Sequence, residues 1–495
     1  MIYLWHTQIL SIMKKILFIV MLFPSLPLFS QRKIADLKKE DFISDFDLSV
    51  NIIRKQHPNP FKFIKEEAFN HKVDSLRKYL VSNPDIYNFL SSSPLRLIKD
   101  VHTSGTVADD LSIELFKSIS YFPYPVLVEK GRVFVNIMNK EIPFGSEITT
   151  INKVPVKKIL TEIASNVDGY IQTGADRNGN DFARYYSFRY RDHENYTIAF
   201  IKPGKTEIEY LTVSPVSASD YSYRSAKCVL PFNLLQQSYS IYSDLNDQKQ
   251  TGILTVGTFN LSEDYAYKEF SNFFKEVNQK KYTNVIIDIR RNSGGNPAIA
   301  ALLYSFITKN SFANTYTYKT KNITLSYPQY VVDGNMRTYS DEDIRSQNNY
   351  LYQRFDKNDT TGWYTGNSRL MEGLLTNFPK DKDAFSGSVK VLVGAETISA
   401  ATYFASLVKV NKRGLIIGKE TASGVDATTA AWFASYQLPA TKSVLTIPLT
   451  EIYFFNATKD KGRGLMPDKE LPIELFIKYA LENKDPEMTY AMGEG

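Results

Sequence analysis

The chain has 495 residues, of which 43% are hydrophobic, and a net charge of +6, a balance that excludes a disordered polymer and is too mild for a nucleic-acid partner. At this length two or three domains are expected. A single cysteine, Cys228, rules out an intramolecular disulfide and a thiolate metal cluster, which leaves a buried, inert thiol as the expectation.

At the amino end Met13-Lys14-Lys15 supplies a positive segment, and Ile16 to Phe29 an apolar run that ends at Ser30-Gln31. This is the pattern of a cleaved secretory signal, and it fits translation starting at Met13. Pro24 and Pro27 interrupt the run, which is short for a hydrocarbon layer of roughly 30 Å. Residues 1–30 are therefore expected to be removed, leaving a protein in the periplasm or outside the cell with no stable membrane span.

Phe42, Phe46, Val50 and Ile53 fall on one helical stripe, and Phe69, Val73, Leu76 and Leu80 repeat it, which predicts a helical domain over residues 31–112. His57-Pro58-Asn59-Pro60 forces a turn between the two helices, where His57 has no assigned chemistry. Ser93 and Pro94 predict a third short helix running toward Val101. Residues 113–218 change to short strands, including 124–128, 133–137 and 196–201. Within them, Ile142 to Lys153 followed by Val154 to Leu160 resembles the strand-and-helix signature of PDZ domains.

From residue 219 to 479 strands alternate with helices: strands 252–259, 284–289, 389–394 and 414–418, and helices 265–277, 297–308 and 399–410. That rhythm means an α/β core. A polar, Tyr- and Asn-rich insertion, 311–385, interrupts it as a lid or a surface decoration, the second being commoner, and 480–495 reads as a tail.

The chain contains no HExxH pair, GxxxxGK[ST] loop or GxSxG elbow. In Gly394-Ala395-Glu396-Thr397-Ile398-Ser399-Ala400-Ala401 a buried strand feeds a turn and a helix, so Ser399 sits where helix amides and dipole favour an alkoxide and an oxyanion. A plain capping serine is the competing explanation. In Asn284 to Asn296 a second buried strand ends in Gly294-Gly295, glycines that let backbone amides approach a ligand closely.

These two segments, with Asp288-Ile289-Arg290-Arg291-Asn292-Ser293-Gly294-Gly295 as the most specific stretch, resemble the C-terminal processing and tricorn-like serine peptidases, a family that includes the retinoid-binding protein of the eye. Gly418 to Gly424 and Gly464-Leu465-Met466-Pro467-Asp468 look like its Gly-Glu-x-Thr-x-Gly and Gly-Val-x-Pro-Asp turns. The resemblance implies a crotonase-like core, Ser399 as nucleophile, an oxyanion hole from the amides of Ala400, Gly294 and Gly295, a polypeptide substrate, and no metal or organic cofactor. The lysine base of the processing branch is replaced by Gly424. The tricorn-like branch instead uses a histidine from an Asp-x-His-Thr segment, which Asp100-Val101-His102-Thr103 matches, so His102 is the implied general base. That branch also places a glutamate where this chain has Lys461; Asp460 and Glu451 are the carboxylates that could orient His102 instead. The implied function is an exported serine peptidase. The alternatives are a catalytically silent peptide- or lipid-binding protein, which the Lys461 departure motivates, and a small-molecule esterase on the same site.

Overall fold

The computed structural model describes residues 33–179, 181–191, 193–231, 236, 238–313, 316–370, 377–454 and 461–493. The signal-like segment 1–30 and Asp460 lie outside the described residues.

Five strands form the central sheet, in the order Leu415–Gly418, Ser388–Val393, Asn284–Asp288, Thr251–Val256 and Ile241–Asn246. The first four run parallel and the last is antiparallel to its neighbour. Parallel strands need crossovers and both faces covered. Val285, Ile287 and Ile289 pack with Phe270, Phe274 and Phe404 of the crossover helices on one face. Ile286, Leu392 and Ile417 meet Ala491 on the other, so the expected tail is in fact a docked helix, Pro486–Ala491.

The N-terminal helices Lys39–Gln56 and Glu66–Ser82 bury Phe42, Phe46, Val50, Ile53 and Phe69, each such side chain stabilising by roughly 1.5–3 kcal/mol. These residues join the same core cluster as the central sheet. The first helix is stitched to distant chain by Asp45, which accepts from the Thr441 amide (2.7 Å), and Gln56, which accepts from the Ser326 amide (2.7 Å) and the Tyr436 hydroxyl (2.9 Å). The expected third helix shrinks to a 3-10 turn, Pro94–Leu97. Lys99 turns to φ 52°, and the Asp100 carboxylate takes the His102 amide (2.8 Å), drawing the chain into a loop before the strand Ser104–Thr106.

The β-rich module is a sheet of Val126–Glu129, Arg132–Val135, Glu147–Ile151, Tyr196–Ile201 and Glu209–Val213, with Val154–Pro155 on its flank. Helices Val156–Ile163 and Phe182–Arg189 pack on it through Ile159, Leu160, Phe182 and Tyr186, giving a core of its own.

The insertion is neither lid nor decoration along its whole length. Its strand Tyr316–Thr320 pairs with Glu451–Phe454, which pairs in turn with Ala427–Thr429. Tyr316, Thr317, Tyr318 and Thr320 are buried there, a burial that a polar composition hides. Burial pushes the Cys228 thiol up to about 11, in keeping with an inert sulfur.

Candidate active site

Strand Asn284–Asp288 delivers the glycine turn and strand Ser388–Val393 the serine turn to the same edge of the sheet. The two turns are clamped together by hydrogen bonds from the Ile398 amide to the Asn292 carbonyl (3.1 Å) and from the Thr397 hydroxyl to the Ile289 carbonyl (2.8 Å). Ser399 adopts φ 55°, ψ −124°, and its hydroxyl makes no capping bond to the helix Ala400–Val410. A non-glycine residue in this region is strained, as on the sharp strand-to-helix turns that expose nucleophiles. A capping role for the serine is thereby excluded.

Gly294 has φ +101°, and a Cβ there would stand 2.6 Å from Ser399 Cβ and 3.1 Å from the Ala400 nitrogen. Only glycine permits this approach. Its amide, however, is occupied by Asn292 Oδ1 at 2.8 Å, so of the expected oxyanion donors Gly294 contributes close fit and no free N–H. Among the described residues the amides of Gly295 and Ala400 donate to no protein acceptor.

The turn after Gly418 braces the serine from behind. Ser423 Oγ accepts from the Ser399 amide (2.8 Å) and donates to Thr402 Oγ1 (2.9 Å). Glu420 holds Arg463 through two contacts of 2.8 Å and accepts from the Gly464 amide (3.0 Å), locking the closing turn onto this one. At the position of the processing-branch lysine, the Gly424 amide donates to Asp168 Oδ2 (2.8 Å).

Asp168 reaches in from the β-rich module and accepts also from the Val101 amide (2.9 Å) and the Thr428 hydroxyl (2.6 Å). Burial and the neighbouring Asp100 push its carboxyl upward. The Thr428 oxygen lies 3.3 Å from His102 Nδ1. Because that hydroxyl donates to Asp168, toward the ring it can only accept, which puts the proton on Nδ1 and leaves a lone pair on Nε2. Nε2 is buried and has no hydrogen-bond partner, and the ring packs against Phe433 at 6.3 Å between centroids. His102 and Ser399 thus belong to one framework, linked through Ser423, Gly424, Asp168 and Thr428, with no direct bond between them.

Glu451 makes no hydrogen bond to His102. It is fully buried and holds Lys62, Asn59 (3.3 Å) and the Tyr453 hydroxyl (2.7 Å). Lys461 is exposed. Sequence reasoning missed His57, Asp168, Thr428 and Ser423. His57 Nδ1 accepts from the Asn59 amide (3.1 Å), so Nε2 donates to Asp100 Oδ2 at 2.8 Å. Burial alone would raise the Asp100 carboxyl, but the His57 bond and the nearby imidazoles hold it at about 2. The signal was the proline turn itself, which fixes His57 at the helix end. Asp100, His102 and Asp168 are close enough to share a metal ion, yet each carboxylate oxygen already has a protein donor.

A strained serine beside unoccupied amides, with an imidazole in the same framework, defines the class: a hydrolase acting through a serine nucleophile. Residues 250–471 match the model of peptidase family S41. Similar solved structures include mature CPAF complexed with lactacystin (15% identity, TM-score 0.56, covering 92% of this chain and 99% of that one) and mature CPAF (15%, 0.56, 92% and 98%). The photosystem II D1 C-terminal processing protease aligns at 13% identity with a TM-score of 0.38 over 90% of this chain and 99% of that one. The two CPAF likenesses are likenesses of fold. No curated protein matches the sequence significantly. Among the described residues no helix is long and apolar enough to cross a membrane.

Proposed function

We propose that this chain is an exported endopeptidase or carboxy-terminal peptidase acting on polypeptides by acyl-enzyme chemistry, on a crotonase-like core with a PDZ-like module. The observation that carries it is Ser399, strained at φ 55° with an uncapped hydroxyl beside the free Ala400 amide. Ser399 attacks the scissile carbonyl, Ala400 and Gly295 amides take the oxyanion, and His102 Nε2 removes the serine proton. Thr428 and Asp168 hold the ring in the tautomer this requires, the role sought in Glu451 and Asp460. Export rests on the positive and apolar pattern of residues 13–31.

Hydrolysis of an unstructured polypeptide by the chain lacking residues 1–30 tests this, beside Ser399→Ala and with a fluorophosphonate probe. The substitution is expected to lower turnover by at least about a thousandfold and to abolish labelling. Equal turnover, or an unlabelled parent, removes the assignment. The exposed Lys461 in the glutamate position favours a second reading, a silent binding protein, which peptide affinity without turnover would support.

A further inference from the structure

Beside the His102 loop lies a cavity of about 520 Å³, between the N-terminal helices, the strand Ser104–Thr106 and the helix Phe182–Arg189. Its wall carries four arginines, Arg96, Arg177, Arg184 and Arg189, and one carboxylate, Glu162. Arg189 is paired with Glu162 (2.9 Å) and Arg184 with Asp181 (3.0 Å).

The other two have no such partner among the described residues. Arg96 donates to the Glu162 carbonyl (2.9 Å) and Arg177 to the Asn166 carbonyl (2.6 Å), both neutral acceptors. Arg177 Nε is buried with no partner at all. Burial lowers the pKa of both guanidiniums, and the carboxylates that act on Arg177, Glu396 and Asp168, do so without contact. A withdrawn guanidinium without a counter-ion is costly, and a planar carboxylate is the group its fork of donors fits.

We infer that this cavity is a carboxylate-binding site for the polypeptide substrate, with Arg177 and Arg96 as its charged partners. The identity of the occupant rests on the peptidase reading above. The strand Ser104–Thr106 follows His102 directly, exposes all three residues and pairs on one side only, with Val444–Pro448. Its free edge can align an extended peptide between the imidazole and the arginines. The carboxylate comes from a chain end or from an acidic side chain, and the volume admits either with the flanking residues.

The test is binding to the Ser399→Ala protein of three alanine-rich peptides: one with a free carboxyl end, one amidated, and one amidated with an internal glutamate. The amidated neutral peptide is expected to bind roughly tenfold or more weakly than a charged one. Preference for the free end assigns a terminal carboxylate, and equal binding of the glutamate peptide assigns a side chain. Arg177→Met is expected to erase the difference and Arg177→Lys to keep part of it, both variants retaining a cooperative thermal unfolding transition. Equal affinity for charged and neutral peptides, or discrimination that survives Arg177→Met, overturns the inference. Loss of labelling alone, with carboxylate-dependent binding intact, sinks the catalytic assignment and leaves the cavity's.

Discussion

A histidine is useful as a base only if its reactive nitrogen is free, and in this chain that is arranged by a threonine. The hydroxyl of Thr428 lies between Asp168 Oδ2 and His102 Nδ1, so it transmits the orientation of a buried carboxylate without contact between the two. Thr428→Val removes this link at nearly constant volume. It is expected to lower kcat about tenfold to a hundredfold with KM little changed, because only proton transfer is affected. Steady-state kinetics across pH check it, since loss in KM alone would mean a binding role. The other imidazole does different work. His57→Ala leaves the buried Asp100 carboxylate with only the His102 amide and the Thr103 hydroxyl as donors and is expected to cost about 1–3 kcal/mol, read as a lowered denaturation midpoint.

At the level of elements, the site depends on two strand ends meeting where neither flanking turn can hold an ordinary residue. Gly294 sits against Ser399 Cβ at φ +101°. Gly294→Ala is expected to cost on the order of 1–3 kcal/mol and, more tellingly, to slow fluorophosphonate labelling of Ser399 by displacing the serine turn. Unchanged labelling would show that the glycine turn does not set the nucleophile's position. The insertion supplies the strand that flanks Glu451–Phe454, which in turn carries Ala427–Thr429 and with it Thr428. Regulation by opening of this strand would therefore dismantle the site.

Over the whole molecule, buried ion pairs join segments far apart in the chain. Arg290 holds Asp288, Asp485 and Glu487 between 2.7 and 2.9 Å, so the arginine of the glycine-turn motif secures the C-terminal helix. Between the β-rich module and the core, Lys419 contacts Glu129, with Asp176 close by. Burial, opposed by Lys419 and reinforced by Glu129 and Glu470, raises Asp176 to about 7. A carboxyl whose folded pKa exceeds its unfolded value favours the fold most below pH 4, and that contribution is lost as pH rises toward 7. At about 1.36 kcal/mol per unit, its upper limit is about 4 kcal/mol. Asp176→Asn should gain stability relative to the parent over this interval, visible as diverging melting temperatures between pH 4 and 7. Parallel curves would refute the shift.

Local chemistry was enough for the periodic and strained parts of this protein. The apolar stripes from Phe42 to Ile53 and the continuous run Val285 to Ile289 predict their helix and strand because burial on one or both faces leaves a repeat. Ser399 and Gly294-Gly295 stand out because few residue types fit a turn between a buried strand and a helix. Asp168 could not be read in this way: nothing in its neighbours marks a carboxylate that folds back to accept from Val101, Gly424 and Thr428. Nor could the helical turn at Pro94 be seen to stop at Leu97, since Asp168 takes the Val101 amide and Asp100 the His102 amide. The same holds for Glu451, whose partners Asn59 and Lys62 lie nearly four hundred residues away. Secondary structure and the nucleophile follow from contacts within a few residues, and so are written locally. The base's orientation and the arginine-lined cavity depend on charges meeting across domains, which only the packed chain brings together.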